Sequence, residues 1–227
     1  MMIFLRRTDS IGFAFTLSYS ITHLPHFAHL TTEGRHYRNN NTDMMKYQRL
    51  SNPPPSETIS TIQNLFQTTF GTEEGESVGT LSANLMTQTP SNDLFVFVAT
   101  TNDEIVGCII FSRLSFPENR TRAFLLGPVG IHPNHQLKGI GQGLIQFGIE
   151  TLRQQQQVDL LVTYGDPKYY GKVGFQSVTT EIIPSPWPLS QPLGWQALSL
   201  NGDLDVSKLL ITGSSLCVKA FDKKEYW

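Results

Sequence analysis

Cysteine is scarce in this chain: 227 residues hold two, Cys108 and Cys217. Two thiols give no disulfide framework, and their apolar settings, VGCII and SLCVKA, read as buried free thiols. Charge is also sparse. Asp, Glu, Lys and Arg make up 16% of the residues and the formal net charge is −2. That balance leaves no electrostatic footprint for nucleic acid or for an anionic membrane surface. No apolar run approaches the length of a membrane span, and no internal repeat is visible. The signatures of several common sites are missing too. A P-loop requires Gly-Lys-Ser/Thr at a helix start, but Gly141 is followed by Gln142. A dinucleotide fingerprint, G-x-G-x-x-G, fails at Leu144 when counted from Gly139 and at Gln146 when counted from Gly141. Neither G-x-S-x-G nor HExxH occurs.

What remains is a globular composition, 39% hydrophobic. The length suits one large domain, or one medium domain with an appendage. Residues 1–43 differ from the rest. They contain no lysine, the first being Lys46, and they hold His23, His26, His29 and His36, four of the six histidines. Three readings fit them. Arg6 and Arg7 before "IGFAFTLSYSI" resemble a cleavable signal without a clean small-residue cleavage site. "HLPHFAH" offers three histidines to a metal, but no Cys or carboxylate completes a ligand set and Pro25 interrupts a helix. The preferred reading is a dispensable extension, disordered or a start-site artefact, with the domain running over 44–227. A chain beginning at Met45 is then expected to keep full activity.

From Lys46 the pattern is orderly. "KYQRL" reads as a short strand. Ile59, Ile62, Leu65, Phe66 and Phe70 follow Ser56, a plausible N-cap, at helical spacing. "VGTLSANLM" reads as a second short helix. "DLFVFVAT" and "EIVGCIIFSRLSF" read as strands joined by a TNDE hairpin turn. "RAFLLGPVGIHP" is a further strand, and Pro128 inside it predicts a bulge or a missing neighbour. The helix after Gly143 carries Ile140, Leu144, Ile145, Ile149 and Leu152 on one face. "VDLLVTYG" is a buried strand and "DPKYYGKVGF" a short helix or turn. Beyond a proline-rich connection, "WQALSL" and "SLCVKAF" read as strands. The order implies an α+β, or mixed α/β, sheet domain.

Between strand and helix stand Gly139, Gly141 and Gly143. A helix N-terminus offers unpaired N–H groups and partial positive charge, and glycine clears the approach, so this turn suits a phosphate.

"Gln136-Leu-Lys-Gly139-Ile-Gly141" resembles the Q/R-x-x-G-x-G/A signature of the GCN5-related N-acetyltransferases. The flanks are similar as well: "VGIHP" before it, and "Tyr170-Gly-Lys-Val-Gly174-Phe175" matching the family's Y-x-x-x-G-F. The longer string looks most like the YhbS-like subgroup of predicted acetyltransferases. The resemblance spans Lys46 onward in element order and is specific from Leu125 to Phe175. It implies an acyl-CoA N-acyltransferase fold, a central, mostly antiparallel twisted sheet flanked by helices. It also implies acetyl-CoA as cosubstrate, no metal, and direct attack of an amine on the thioester in a ternary complex. Carried over by motif, Gln136, Leu137, Lys138, Gly139, Ile140, Gly141 and Gln142 would hold the pyrophosphate. Val129, Gly130 and Ile131 would pair with the pantetheine arm and supply an oxyanion N–H. Tyr170 would protonate the departing thiolate; the alternative is a packing aromatic, and Tyr169 beside it blurs the register. His132, His135 and Glu118 are candidates for a base, against solvated or capping roles. Trp187 and Trp195 are candidates to line an acceptor pocket, against a cover over the sheet edge. The expectation is a cytoplasmic enzyme without nucleic-acid or membrane partners. A non-catalytic acyl-CoA-binding regulatory module is the alternative.

Overall fold

The computed structural model describes residues 36–38, 44–155, 157–201, 205–206 and 209–227. Nine strands form one sheet among them: β1 (His36–Arg38), β2 (Met44–Arg49), β3 (Leu94–Thr101), β4 (Glu104–Ser115), β5 (Ala123–Ile131), β6 (Leu160–Tyr164), β7 (Gln176–Ser177), β8 (Trp195–Ser199) and β9 (Leu216–Cys217). Their order is β1-β2-β3-β4-β5-β6-β8-β7, with β9 also pairing β4. Every pairing is antiparallel except β5 with β6. The helices are α1 (Ser56–Gln88), α2 (Ile140–Gln155) and the single turn α3 (Pro167–Tyr170). This is the mixed α/β, mostly antiparallel architecture that the element order predicts.

The sheet separates two apolar layers. β3 alternates between them: Leu94, Val96 and Val98 pack on the layer of α1, and Phe95, Phe97 and Ala99 on the layer of α2. Both faces are covered, so β3 reads as a continuous apolar run rather than a half-solvated strand. The stripe Ile140, Leu144, Ile145, Ile149 and Leu152 is buried, as its spacing implies. On the other face, α1 consists of two helical segments meeting at Gly71, whose φ of 69° breaks the helix. That break explains why the sequence reads as two helices here.

Several local expectations change. The first helix starts at Ser56 itself, outside Pro55, and has no side-chain cap. Proline at 55 already holds a helix-compatible φ, so the cap bond is replaced by a preset backbone. "SLCVKAF" is a strand only at Leu216–Cys217, opposite Leu114 and Ser115. β9 takes up the edge of β4 beyond Ser112, the partner of Leu94 where β3 begins. The chain then turns at Lys219–Phe221 and Lys224–Tyr226 toward the layer of α1. The sheet begins at His36–Arg38, within the stretch set apart as an extension, and pairs there with Met44–Lys46. The remaining histidines of that stretch and the signal-like run lie outside the described residues.

Candidate active site

Strand β5 positions the site because it changes partners halfway along. Its first half, Ala123–Leu126, pairs in parallel with Leu160–Thr163 of β6. From Gly127 onward β6 no longer follows, and β5 pairs only with β4. The β4 register also slips here: Ile109 faces Val129 while Phe111 faces Leu126. Gly127 and Pro128 form the bulge that the proline predicts, and the neighbour is missing as well.

The open edge can be read residue by residue. His132 N–H donates to Val106 O across β4. By strand alternation, the N–H and C=O groups of Ile131 and Val129 point the other way, into the gap beside β6. Gln136 Nε2 donates to Ile131 O at 2.9 Å, tying the following turn to the end of this edge. Gly130 serves a different need: a Cβ there would lie 2.8 Å from two ring carbons of Phe66 on α1. Its glycine identity follows from the close approach of the helix.

The turn 136–142 follows at the foot of α2. The first bond closing onto the helix runs from Gly143 N–H to Gly139 O. Among the described residues, the N–H groups from Leu137 to Gln142 have no protein acceptor, an arrangement suited to an anion. Leu137, fully exposed, and Gly139 both take left-handed backbone, with φ of 61° and 78°. The three glycines have different causes. Gly139 needs its φ, and a Cβ there would meet only open space. A Cβ on Gly141 would collide with the Tyr169 hydroxyl, and one on Gly143 with the Tyr47 hydroxyl. Two of the three thus make room for phenols from other elements, and one faces open space. Lys138 Nζ donates to Asn134 O at 2.9 Å, which keeps its charge beside the turn.

Tyr170 ends α3, a turn capped by Asp166, whose side chain accepts from Lys168 N–H. Its ring packs edge-on against Tyr169 at 5.1 Å and Phe175 at 5.9 Å. Burial pushes the phenol up to about 12, opposed by a hydrogen bond with Thr163 and reinforced by Asp166. Thr163 donates to Leu126 O at 3.0 Å. Thr163 and Leu126 are the last residues paired before the strands part. Tyr170 is therefore a protonated hydroxyl held at the fork.

The other candidates separate from this centre. His132 caps the turn Pro133–His135, its Nδ1 accepting from Asn134 N–H, and its ring stands 6.0 Å from that of His135. Six residues of strand place His132 about 20 Å from Leu126. Glu118 accepts from Ser214 N–H, fastening the loop before β5 to the C-terminal segment. Trp195 is fully buried and donates to Ile183 O at 2.8 Å. Trp187 donates to Asp222 at 2.9 Å. A cleft on the α1 side of the fork is lined instead by Leu125–Gly127, Tyr164, Phe221, Tyr226 and Trp227. Sequence reading missed the last three because nothing local signals that the C-terminal segment returns to β5. Among the described residues no group of His, Cys, Asp or Glu could hold a metal ion, and no helix is long and apolar enough to cross a membrane.

Residues 92–177 match the family model described as an acetyltransferase (GNAT) domain. An uncharacterized N-acetyltransferase of Escherichia coli K12, YjhQ, is 27% identical over 140 residues, covering 60% of this chain and 76% of that protein. A GNAT family acetyltransferase of Brucella melitensis, solved with acetyl-CoA, superposes with a TM-score of 0.59 at 22% identity, over 78% of this chain and 98% of that one. The YhbS N-acetyltransferase of Escherichia coli, solved with CoA, gives 0.63 at 16% identity, over 83% and 97%. The matched segment contains the bulged strand, the glycine turn, α2, β6 and the tyrosine pair. Over residues 92–177 the chain is similar to the acetyltransferase (GNAT) domain, and its fold is that of the solved GNAT enzymes.

Proposed function

We propose that this chain transfers the acetyl group of acetyl-CoA to an amine by direct attack in a ternary complex. The observation that carries the proposal is the alignment of a parted strand pair with an anion-ready turn. Pantetheine would lie along the open edge of Val129–Ile131, taking the place that β6 vacates. The pyrophosphate would accept from the free N–H groups between Leu137 and Gln142, with Gln136 fixing the turn and Lys138 adding charge. The thioester would then fall at the fork. There the amine lone pair attacks the carbonyl carbon, the C–S bond breaks, and Tyr170 gives its proton to the thiolate. The proton lost by the amine passes to water, which also restores the phenol. An open-edge N–H, Val129 being the nearer to the fork, would hold the oxyanion. Two free thiols and the absence of a membrane-crossing helix among the described residues support a cytoplasmic setting.

Thermal shift with acetyl-CoA, with ATP and NAD as controls, is the first test, because a ligand bound only to the native state raises its stability. Leu137→Glu is the informative variant. The side chain is wholly exposed and the position already holds a non-glycine residue, so the fold is retained while a carboxylate faces the phosphates. Acetyl-CoA alone should shift wild type, and the variant should lose most of that shift. Tyr170→Phe should lower kcat about 100-fold with the KM for acetyl-CoA little changed. A folded wild type that ignores acetyl-CoA refutes the proposal.

A further inference from the structure

The structure assigns a class of acceptor: we infer that the cleft at the fork takes a primary amine carried on an apolar, aromatic group, not a polyamine or a basic peptide. This rests on the acetyltransferase reading. The cleft lies where β5 and β6 part, on the face opposite Tyr170. Leu126 packs with Tyr170 on the α2 layer, whereas Leu125, Tyr164, Phe221, Tyr226 and Trp227 belong to the α1 layer. A cofactor lying in the gap between the strands is thus open to Tyr170 from one face and to the cleft from the other. The cleft is small, with room for about one water-sized group. An amine nitrogen fits it, and the ring that carries the amine would rest outside, against the aromatic rim.

The walls decide the chemistry. No lining side chain is charged. Tyr164 Oη is committed, lying 3.0 Å from Ser190 Oγ and accepting from Gln191 N–H. Trp227 Nε1 is committed to Phe221 O. The ring faces and the Tyr226 hydroxyl are what remain. The nearby carboxylates are engaged elsewhere, Asp222 with Trp187 and Glu225 with Lys223. Lys223 stands 5.8 Å from the centre of the Tyr226 ring, its charge shared with Glu225. An apolar cleft also addresses a chemical need. Desolvation disfavours the ammonium form, so the amine arrives closer to its neutral, nucleophilic state.

The test follows thiol release from acetyl-CoA on the full chain, with phenethylamine, spermidine and a lysine-containing basic peptide as acceptors. Phenethylamine should give kcat/KM about 10- to 100-fold above either cation, the range expected for burying one ring. Gly127 provides the variants. A Cβ there would have only Phe221 Cζ within reach, at 3.6 Å, an ordinary contact. Gly127→Ala therefore narrows the cleft without a clash, and Gly127→Val narrows it further. They should cut kcat/KM for phenethylamine progressively, by about 10-fold for valine, while the acetyl-CoA thermal shift persists and reports an intact fold. Should valine unfold the chain, alanine alone carries the test. Acetyl-CoA binding without turnover of phenethylamine overturns the inference. So does preference for spermidine or the peptide, or a folded Gly127 variant with unchanged kinetics. Failure to bind acetyl-CoA refutes the acetyltransferase reading itself, and the inference falls with it.

Discussion

Replacing Gly141 by alanine should destabilise the protein, and removing one distant oxygen should reverse the effect. A Cβ at 141 would collide with the Tyr169 hydroxyl, while its next neighbours would be Ile131 Cγ1 at 3.3 Å and Tyr169 Cζ at 3.7 Å. Tyr169 is partly buried and packs edge-on against Tyr170 at 5.1 Å, so its ring retreats only at the cost of that contact. Forcing one methyl into a filled site costs about 1–3 kcal/mol. Against this, alanine gains up to about 1 kcal/mol over glycine in a helix, and less in the first turn. The net loss for Gly141→Ala is about 1–2 kcal/mol. In a Tyr169→Phe background the colliding oxygen is gone and ordinary contacts remain, so the same substitution should be neutral or stabilising. The coupling between the two sites should therefore be about 1–3 kcal/mol. Urea denaturation of the four proteins at pH 7 measures it. Equal destabilisation by Gly141→Ala in both backgrounds would refute the reasoning and return Gly141 to a role at the phosphates alone.

Two further outcomes are expected. Asp159 accepts from Arg122 through both carboxylate oxygens and from Asn201, and the Arg122 bond holds its carboxyl well below the usual range. A depressed folded value means that the contribution is full above about pH 4, the ordinary Asp value, and is lost as pH falls below it. Asp159→Asn should cost about 1 kcal/mol at pH 7 in urea titrations, given how exposed Arg122 is, and the gap from wild type should close toward pH 2. The thiols are the second case. Burial pushes Cys217 up to about 12 and Cys108 higher still, so neither forms appreciable thiolate at pH 8. Alkylation should be slow in the native protein and fast for both in urea; rapid native labelling of Cys108 would contradict its burial.

Much of this was legible along the chain because the signals are local. Strand β3 and the stripe on α2 declare themselves by composition and period, and Pro128 marks the break in β5 because proline cannot donate to a ladder. The signature turn is contiguous, and the resemblance of Tyr170 to Phe175 to the Y-x-x-x-G-F segment is contiguous as well. What could not be read depends on distant contacts. Gly141 and Gly143 look like parts of a phosphate cradle, yet their neighbours are Tyr169 and Tyr47. Gly130 looks like a concession to the cofactor, yet Phe66 lies against it. Trp187 and Trp195 stand out in the sequence because they are aromatics among prolines, whereas Phe221, Tyr226 and Trp227 reach β5 only through the course of the last segment after β9.

The parting of β5 from β6 has a consequence for solubility. A strand edge with free N–H and C=O groups is a template for another chain, and proteins commonly shield such edges at the perimeter of a sheet. Here the free edge of Val129–Ile131 is interior. β6 stands on one side, the layers of α1 and α2 close above and below, and the Gln136 side chain occupies the carbonyl at its end. A foreign strand pairing there would have to project side chains into both layers. An edge kept within the sheet can stay unpaired without inviting aggregation, and only a slender, extended molecule can complete it.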